Sequence, residues 1–157
     1  MTAADIEAVV KIEALVHLFY QEGTAVFQNR FDLYPSGCFV CVNNGEPVGY
    51  MVSHPWKRGE PVALDAVIDA VPSDADCLYI HDLALLPESR GGGAAQTAIS
   101  LAEDTVRKLN LKSLALVALP DALRFWARAG FISTSPSKDN EIACEYGVGA
   151  SFMEREV

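Results

Sequence analysis

Two groups of residues in this chain have the types and spacing to do chemistry. The first is Arg90-Gly91-Gly92-Gly93-Ala94-Ala95, set between an apolar run and an amphipathic one. Glycine lets a backbone turn tightly and approach a ligand with no Cβ in the way. A helix starting there presents unpaired N–H groups and the positive end of its dipole. Together these make a cradle for pyrophosphate. A P-loop would need Gly-Lys-Ser/Thr after the glycines, and Ala94-Ala95-Gln96 follows instead. A dinucleotide fingerprint would need a third glycine where Gln96 stands. The bland alternative is a plain glycine-rich connection between strand and helix.

The second group is the histidines, since imidazole is the side chain that takes and gives protons near neutral pH. His81 lies in an apolar strand-like run with Tyr79, and the two share a face because strand side chains alternate. Asp82 faces the other way unless a bulge shifts the parity. A core histidine bonded to backbone or to Asp82 is the competing reading. His54, beside Pro55 and Trp56, stands near a pocket rim, and His17 reads as a packing or surface residue of the first helix. The cysteines are Cys38, Cys41, Cys77 and Cys144. Cys38 and Cys41 form a C-x-x-C inside an extended stretch, where residues three apart point to opposite faces and cannot hold one ion. Buried thiols are expected, and no metal site.

The elements that must position these groups follow from periodicity. Thr2-x-x-Asp5 reads as a capping box opening a first helix, with Ile12, Leu15, Val16 and Phe19 at helical spacing. A second helix covers Gln21 to Leu33, ended by Pro35 and Gly37. Strands Cys38 to Val42 and Val48 to Ser53 flank the turn Asn43-Asn44-Gly45-Glu46, a hairpin that Pro55 stops. A helical patch, Leu64 to Ala70, precedes the strand Leu78 to Leu86. Ala95, Ile99, Ala102, Val106 and Leu109 make one face of a long helix. Ser113 to Leu119 is a buried strand, Pro120 starts a short helix ending at Gly130, and strands close the chain near Glu141 to Tyr146 and Ser151 to Glu156. This is one domain, residues 1–157: a mixed α/β fold with one central sheet.

Composition bounds the partners. Of the 157 residues half are hydrophobic, enough for a core without staples and too apolar for disorder. A net charge of −9 repels a phosphate backbone, so no nucleic acid is expected. A local nest of N–H groups with Arg90 can still outweigh distant, screened carboxylates. No run of about 18 apolar residues spans a membrane, and Asp5, Glu7 and Glu13 stand where a signal peptide would be basic and apolar. The expectation is a cytoplasmic protein with reduced thiols, monomer or homodimer.

Leu83-Ala84-Leu85-Leu86-Pro87-Glu88-Ser89-Arg90-Gly91-Gly92-Gly93-Ala94-Ala95 resembles the central motif of the GNAT superfamily of N-acetyltransferases. That motif is an L-A-V type strand, a nearby Pro, then Q/R-x-x-G-x-G/A; Arg90, Gly93 and Ala95 fall on its defining positions. Ala122-Leu123-Arg124-Phe125-Trp126-Ala127-Arg128-Ala129-Gly130-Phe131 looks like the family's A-x-x-F-Y-x-x-x-G-F block, and Ala150 to Arg155 like its final strand. The resemblance runs from about Cys38 onward. The family's short first strand has no counterpart before the first helix. The resemblance implies a mostly antiparallel central sheet flanked by helices, with acetyl-CoA as cosubstrate. The pyrophosphate would sit on Arg90, Gly91, Gly92, Gly93, Ala94 and Ala95, and the pantetheine along Leu83, Ala84 and Leu85, with Trp126 at the cofactor. A bulge in that strand would splay it from the next one and admit the acetyl group.

Amide formation needs a neutral amine, and an alkylamine is about one part in a thousand neutral at pH 7. Removing that obstacle is worth roughly 4 kcal/mol. By resemblance, His81 is the base, with Tyr79 beside it. The family's usual acidic Tyr is replaced by Trp126 and its usual Asn by Leu119, so the acid that serves the leaving thiolate is unassigned among Tyr79, Tyr146 and water. The expected activity is direct acetyl transfer to a small-molecule or peptide amine, with no covalent enzyme intermediate. A non-catalytic acyl-CoA-binding or sensing module is the rival. The N-terminal helices and the Trp56 to Asp76 segment are expected to wall the acceptor pocket. Their Glu22, Asp32, Glu60, Asp65 and Asp69 would favour a cationic amine.

Overall fold

The computed structural model describes residues 1–134 and 146–157. The Asp5 carboxylate accepts the Thr2 N–H at 2.6 Å and the Thr2 hydroxyl at 2.9 Å, opening a 3-10 turn that runs into α1 (Ile6–Val16). The buried face of α1 carries Ile6, Val9, Ile12 and Glu13. Leu15 and Phe19 are exposed, contrary to the expected stripe, because the helix ends at Val16 and its core face lies on the other side. Gly23, at φ +80°, delays α2 (Thr24–Leu33) by three residues against the expected start.

β1 (Cys38–Asn43) and β2 (Glu46–Trp56) form the expected hairpin. Asn44 and Gly45 both take positive φ, as the tight turn between right-twisted strands requires. Pro55 does not stop β2. β1 ends opposite Val52, so beyond that point β2 has no neighbour on that side asking for the N–H that proline lacks. The connection to β3 (Cys77–Leu85) holds no helix over 64–70. Side chains of α2 pin it instead. Asn29 exchanges two hydrogen bonds with the Ile68 backbone, and Arg30 donates to Ala66 O at 2.7 Å.

α3 (Ala94–Leu109), β4 (Ser113–Ala118), α4 (Leu123–Arg128), β5 (Ile132–Ser133) and β6 (Ser151–Glu156) complete the fold. The expected strand near Glu141 and the Cys144 thiol lie outside the described residues. Among the described residues the sheet has six strands in the order β1-β2-β3-β4-β6-β5. Of these, β3 and β4 alone run parallel, as a crossover through α3 demands. Ile80, Ile99, Val106, Leu114, Leu116 and Phe131 pack the α3 and α4 side. Val9, Phe27, Tyr50, Val52 and Ala84 pack the α1 and α2 side, continued by Val62, Tyr79 and Phe152 under the β2–β3 connection. Among the described residues no helix is long and apolar enough to cross a membrane.

Leu114 is fully buried between sheet and α3. Leu114→Ala is expected to lower stability by about 2–5 kcal/mol through lost burial and the cavity left behind, read as an earlier midpoint in urea.

Candidate active site

β3 and β4 are paired over Cys77–Tyr79 against Ser113–Ala115, and no further. On its other edge β3 pairs with β2, but Ser53 faces Ile80 while Val52 faces Asp82. His81 is therefore an extra residue, a bulge that bends β3 away from β4. It also shifts the side-chain parity. Ala84 packs on the α1 and α2 side, as does Tyr79, although the two are an odd five positions apart. His81 and Asp82 consequently project to the same side, which regular alternation forbids.

Two spaces open where the strands part. The larger, a cleft of about 870 Å³, runs along Leu83, Ala84 and Leu85 to the glycine loop and the first turn of α3. The β3 edge there has lost β4, so its backbone is free to pair with an extended ligand. Gly91 and Gly93 take φ of +81° and +86°, and a Cβ built on any of the three glycines meets nothing within 4 Å. The first helical bond of α3 is Thr97 N–H to Gly93 O, which leaves the N–H groups of Ala94, Ala95 and Gln96 open to the cleft. Arg90, Gly91, Gly93, Ala94, Ala95 and Trp126, all named from the sequence, line the cleft; Gly92 does not. The Arg90 N–H is spent on Pro87 O, so Arg90 offers its side chain, anchored through Nε to Leu85 O.

The smaller space, about 80 Å³, lies in the wedge between 80–83 of β3 and 116–119 around the end of β4. Its far wall comes from the α1–α2 connection (His17, Tyr20, Glu22), Leu64 and Tyr146. That connection is held by a buried carboxylate: Glu13 accepts the N–H of Glu22 at 2.6 Å and of Gly23 at 3.3 Å. Burial raises the Glu13 pKa against the lowering effect of those two bonds. Fixed in this way, Glu22 reaches inward. One oxygen accepts the Asp65 N–H at 2.9 Å, and the other lies 2.7 Å from His81 Nε2. The contact is close but out of line for a ring N–H, and His81 Nδ1 has no hydrogen bond among the described residues.

His17 faces Asp82 across the same cavity, Nε2 to Oδ1 at 3.1 Å. The other Asp82 oxygen accepts the Tyr50 hydroxyl. Burial opposes charge on both partners. The bond and charge of Asp82, helped by Glu13 and Asp121, nonetheless raise the His17 pKa. His17, with Tyr50 and His81, lowers that of Asp82. His17 is thus no packing residue. No local pattern marks it, because its partner is 65 positions away.

Other expectations are corrected. Tyr79 shares the face of His81, with ring centroids 6.4 Å apart, but lines neither space. Its hydroxyl is walled in, accepting the Val62 N–H at 3.3 Å, and burial pushes its pKa far up. Tyr146 does line the inner cavity, yet it donates to Val62 O at 2.8 Å and burial holds its proton still more firmly. His54 is fully buried away from both spaces, its pKa pulled down to about 3 by burial and by the charges of His81 and Arg30. Of the five acidic residues expected to wall the acceptor pocket, Glu22 alone lines it; Asp82, which the bulge brings round by shifting the parity, lines it as well. The Cys38 thiol is pushed up to about 11 by burial and stands outside both spaces.

Residues 7–131 match the sequence model described as the acetyltransferase (GNAT) family. A search of curated proteins finds no match. Among solved structures, Ard1 from Thermoplasma volcanium superposes with a TM-score of 0.75 at 20% identity, covering 100% of this chain and 94% of that one. The paiA N-acetyltransferase from Thermoplasma acidophilum, solved with coenzyme A, gives 0.68 at 13% identity, covering 100% and 96%. Arabidopsis thaliana Naa50, solved with the bisubstrate analogue CoA-Ac-MVNAL, gives 0.69 at 14%, covering 100% and 95%. At these identities the superpositions establish a shared fold.

The His17–Asp82 pair makes stability depend on pH at both ends. The His17 contribution is complete below the ordinary histidine value of 6.5 and is lost as pH rises through the higher folded value. The Asp82 contribution is complete above 3.8 and is lost as pH falls through the lower folded value. By NMR, the His17 ring should titrate above free histidine, and Asp82→Asn should bring it down.

Proposed function

Because the chain belongs to the acetyltransferase (GNAT) family, we propose that it transfers an acetyl group from acetyl-CoA directly to a primary amine that enters as a cation. One observation carries this reading. A cleft along the open edge of β3, ending in a donor-lined glycine loop, meets a small acidic cavity at the bulge, where two imidazoles and two carboxylates converge. When bound, acetyl-CoA supplies an activated acyl thioester. The residues of this chain do the rest.

The N–H groups at the start of α3, with the Arg90 side chain, hold the pyrophosphate, and the positive end of the helix favours its charge. The β3 backbone at Leu83 to Leu85 holds the pantetheine arm, and Trp126 walls the passage between the two spaces. Glu22 and Asp82 attract an ammonium into the inner cavity. There the Glu22–His81 pair takes its proton, so that the nitrogen lone pair can reach the acyl carbon. Glu22 orients the ring and stabilises the imidazolium that forms. A module that only bound acyl-CoA would gain nothing from such a pair beside the thioester. The peptide analogue carried by the Naa50 structure supports a peptide amine as one class of acceptor, and the size of the inner cavity supports a slender alkylamine head. No covalent acyl-enzyme is proposed, since the Cys38 and Cys77 thiols are buried and pushed up.

An acceptor screen with acetyl-CoA tests the reading. Cationic amines, polyamines or basic peptides, should outcompete anionic amino acids in kcat/KM, and the advantage should shrink as salt rises. No acetylation of any amine would overturn it. His81→Gln should cut turnover by about 10²-fold or more at nearly unchanged coenzyme A affinity. Near-normal turnover would move the base elsewhere. Gly93→Glu puts a carboxylate in the open space of the cradle and should weaken coenzyme A binding by more than about tenfold in calorimetry, at a folding cost of about 1–2 kcal/mol for the left-handed backbone.

A further inference from the structure

The site so far has a group that accepts the amine proton and none that serves the departing sulfur. Six residues line both spaces and so stand at their junction: His17, Tyr20, Leu83, Leu119, Ala122 and Trp126. Three of these are apolar. The Trp126 indole can donate a hydrogen bond but cannot give up its proton. Tyr20 turns its hydroxyl onto Gly147, where an added Cβ would lie 2.2 Å from it. Tyr79 and Tyr146 are excluded, the first by position and the second because its hydroxyl is engaged with Val62 O. His17 remains. Its Nε2 is held by Asp82, and its Nδ1 makes no hydrogen bond among the described residues.

From this geometry we propose that His17, held by Asp82 and Tyr50, is the acid that protonates the leaving thiolate of coenzyme A. The proposal rests on the acetyl-transfer reading and adds the half-reaction that the reading leaves open. As the C–N bond of the amide forms, the thioester C–S bond breaks and its electron pair departs on sulfur. A proton from the His17 imidazolium neutralises that sulfur, and solvent returns a proton to the ring. The proton lost by the amine goes separately to the Glu22–His81 pair, so the two histidines divide the acid and base work.

The charged and titratable groups around His17 favour its cationic form. Glu13 faces it from α1, Asp82 from β3 and Asp121 from the connection into α4. Tyr50 of β2 holds the far oxygen of Asp82. His81, Glu22, Tyr20 and Tyr146 share the inner cavity with it. Three carboxylates therefore act on His17 against one neighbouring imidazole. An acid that must keep its proton at neutral pH until sulfur takes it needs such a surrounding.

The experiment follows the thiol of bound coenzyme A by its thiolate ultraviolet absorbance across pH, without turnover. In the wild type the bound thiol should titrate about one pH unit or more below free coenzyme A, since an imidazolium beside the sulfur favours thiolate. In His17→Gln that displacement should vanish, while coenzyme A lacking its sulfur binds both proteins equally well. Asp82→Asn keeps the ring but removes its carboxylate, and should reduce the displacement. It decides the matter if His17→Gln fails to bind the sulfur-free analogue. The alkaline limb of kcat should disappear in His17→Gln while the loss caused by His81→Gln persists. An unchanged thiol titration in both His17→Gln and Asp82→Asn, or one moved instead by Tyr20→Phe, would overturn the assignment of His17 and leave the acetyl-transfer reading standing. If coenzyme A does not bind the wild type, the reading itself falls.

Discussion

β3 cannot pair regularly with both neighbours, because His81 is inserted between Ile80 and Asp82 opposite the single step from Val52 to Ser53. A sheet absorbs an extra residue by bending the bulged strand and ending its pairing on one side. Here the side that yields is the one facing β4, whose parallel ladder to β3 stops after Tyr79 and Ala115. The cleft and the inner cavity both lie in the wedge this creates. The unpaired β3 edge faces a cleft that the glycine loop, the start of α3 and α4 also line. The same insertion turns His81 and Asp82 toward one side, which places an imidazole and a carboxylate at the head of the cleft.

Such a concentration of ionisable groups is expensive to bury, and the structure shows how each is compensated. Glu13 is met by two backbone N–H groups, Glu22 by Asp65 and His81, and Asp82 by His17 and Tyr50. Arg30 is fully buried on α2 with its guanidinium on Ala66 O and Asn29. Pairs of this kind contribute little to net stability, because desolvation takes back most of the Coulombic gain. Their value is positional. Glu13 fixes the backbone of the α1–α2 connection, that backbone aims Glu22 at His81, and Asp82 fixes the His17 ring. A stretch with exposed Leu18 and Phe19 and no regular structure is thereby held over a cavity. Packing alone could not hold it there.

The two histidines differ in surroundings more than in distance from the chemistry. His81 is enclosed within the sheet, with the Glu22 carboxylate 2.7 Å from its Nε2. His17 sits at the end of a helix, partly open to the cleft, and feels three carboxylates. Neither His17 nor Glu22 sits in a motif. Both lie in the irregular stretch between α1 and α2.

What the sequence determined by itself is what depends on neighbours along the chain. The glycine loop, the amphipathic face of α3, the hairpin turn at Asn44-Gly45, the Phe125-Trp126 block and the last strand were all legible there, since periodicity and turn chemistry act within a few residues. The class of fold followed from them. The inner cavity did not. Alternation placed Asp82 on the wrong face, because a period of two holds only while pairing is regular, and the bulge depends on the register with β2. Pro55 read as a stop until the missing β1 partner made its position harmless. Tyr79 read as catalytic until the β2–β3 connection closed over its hydroxyl. His17 read as a packing or surface residue and Glu22 as one acidic wall residue among five, and their contacts are with partners 65 and 59 positions further along the chain. Contacts between residues so far apart leave no local pattern, because only the folded chain brings them within hydrogen-bonding distance.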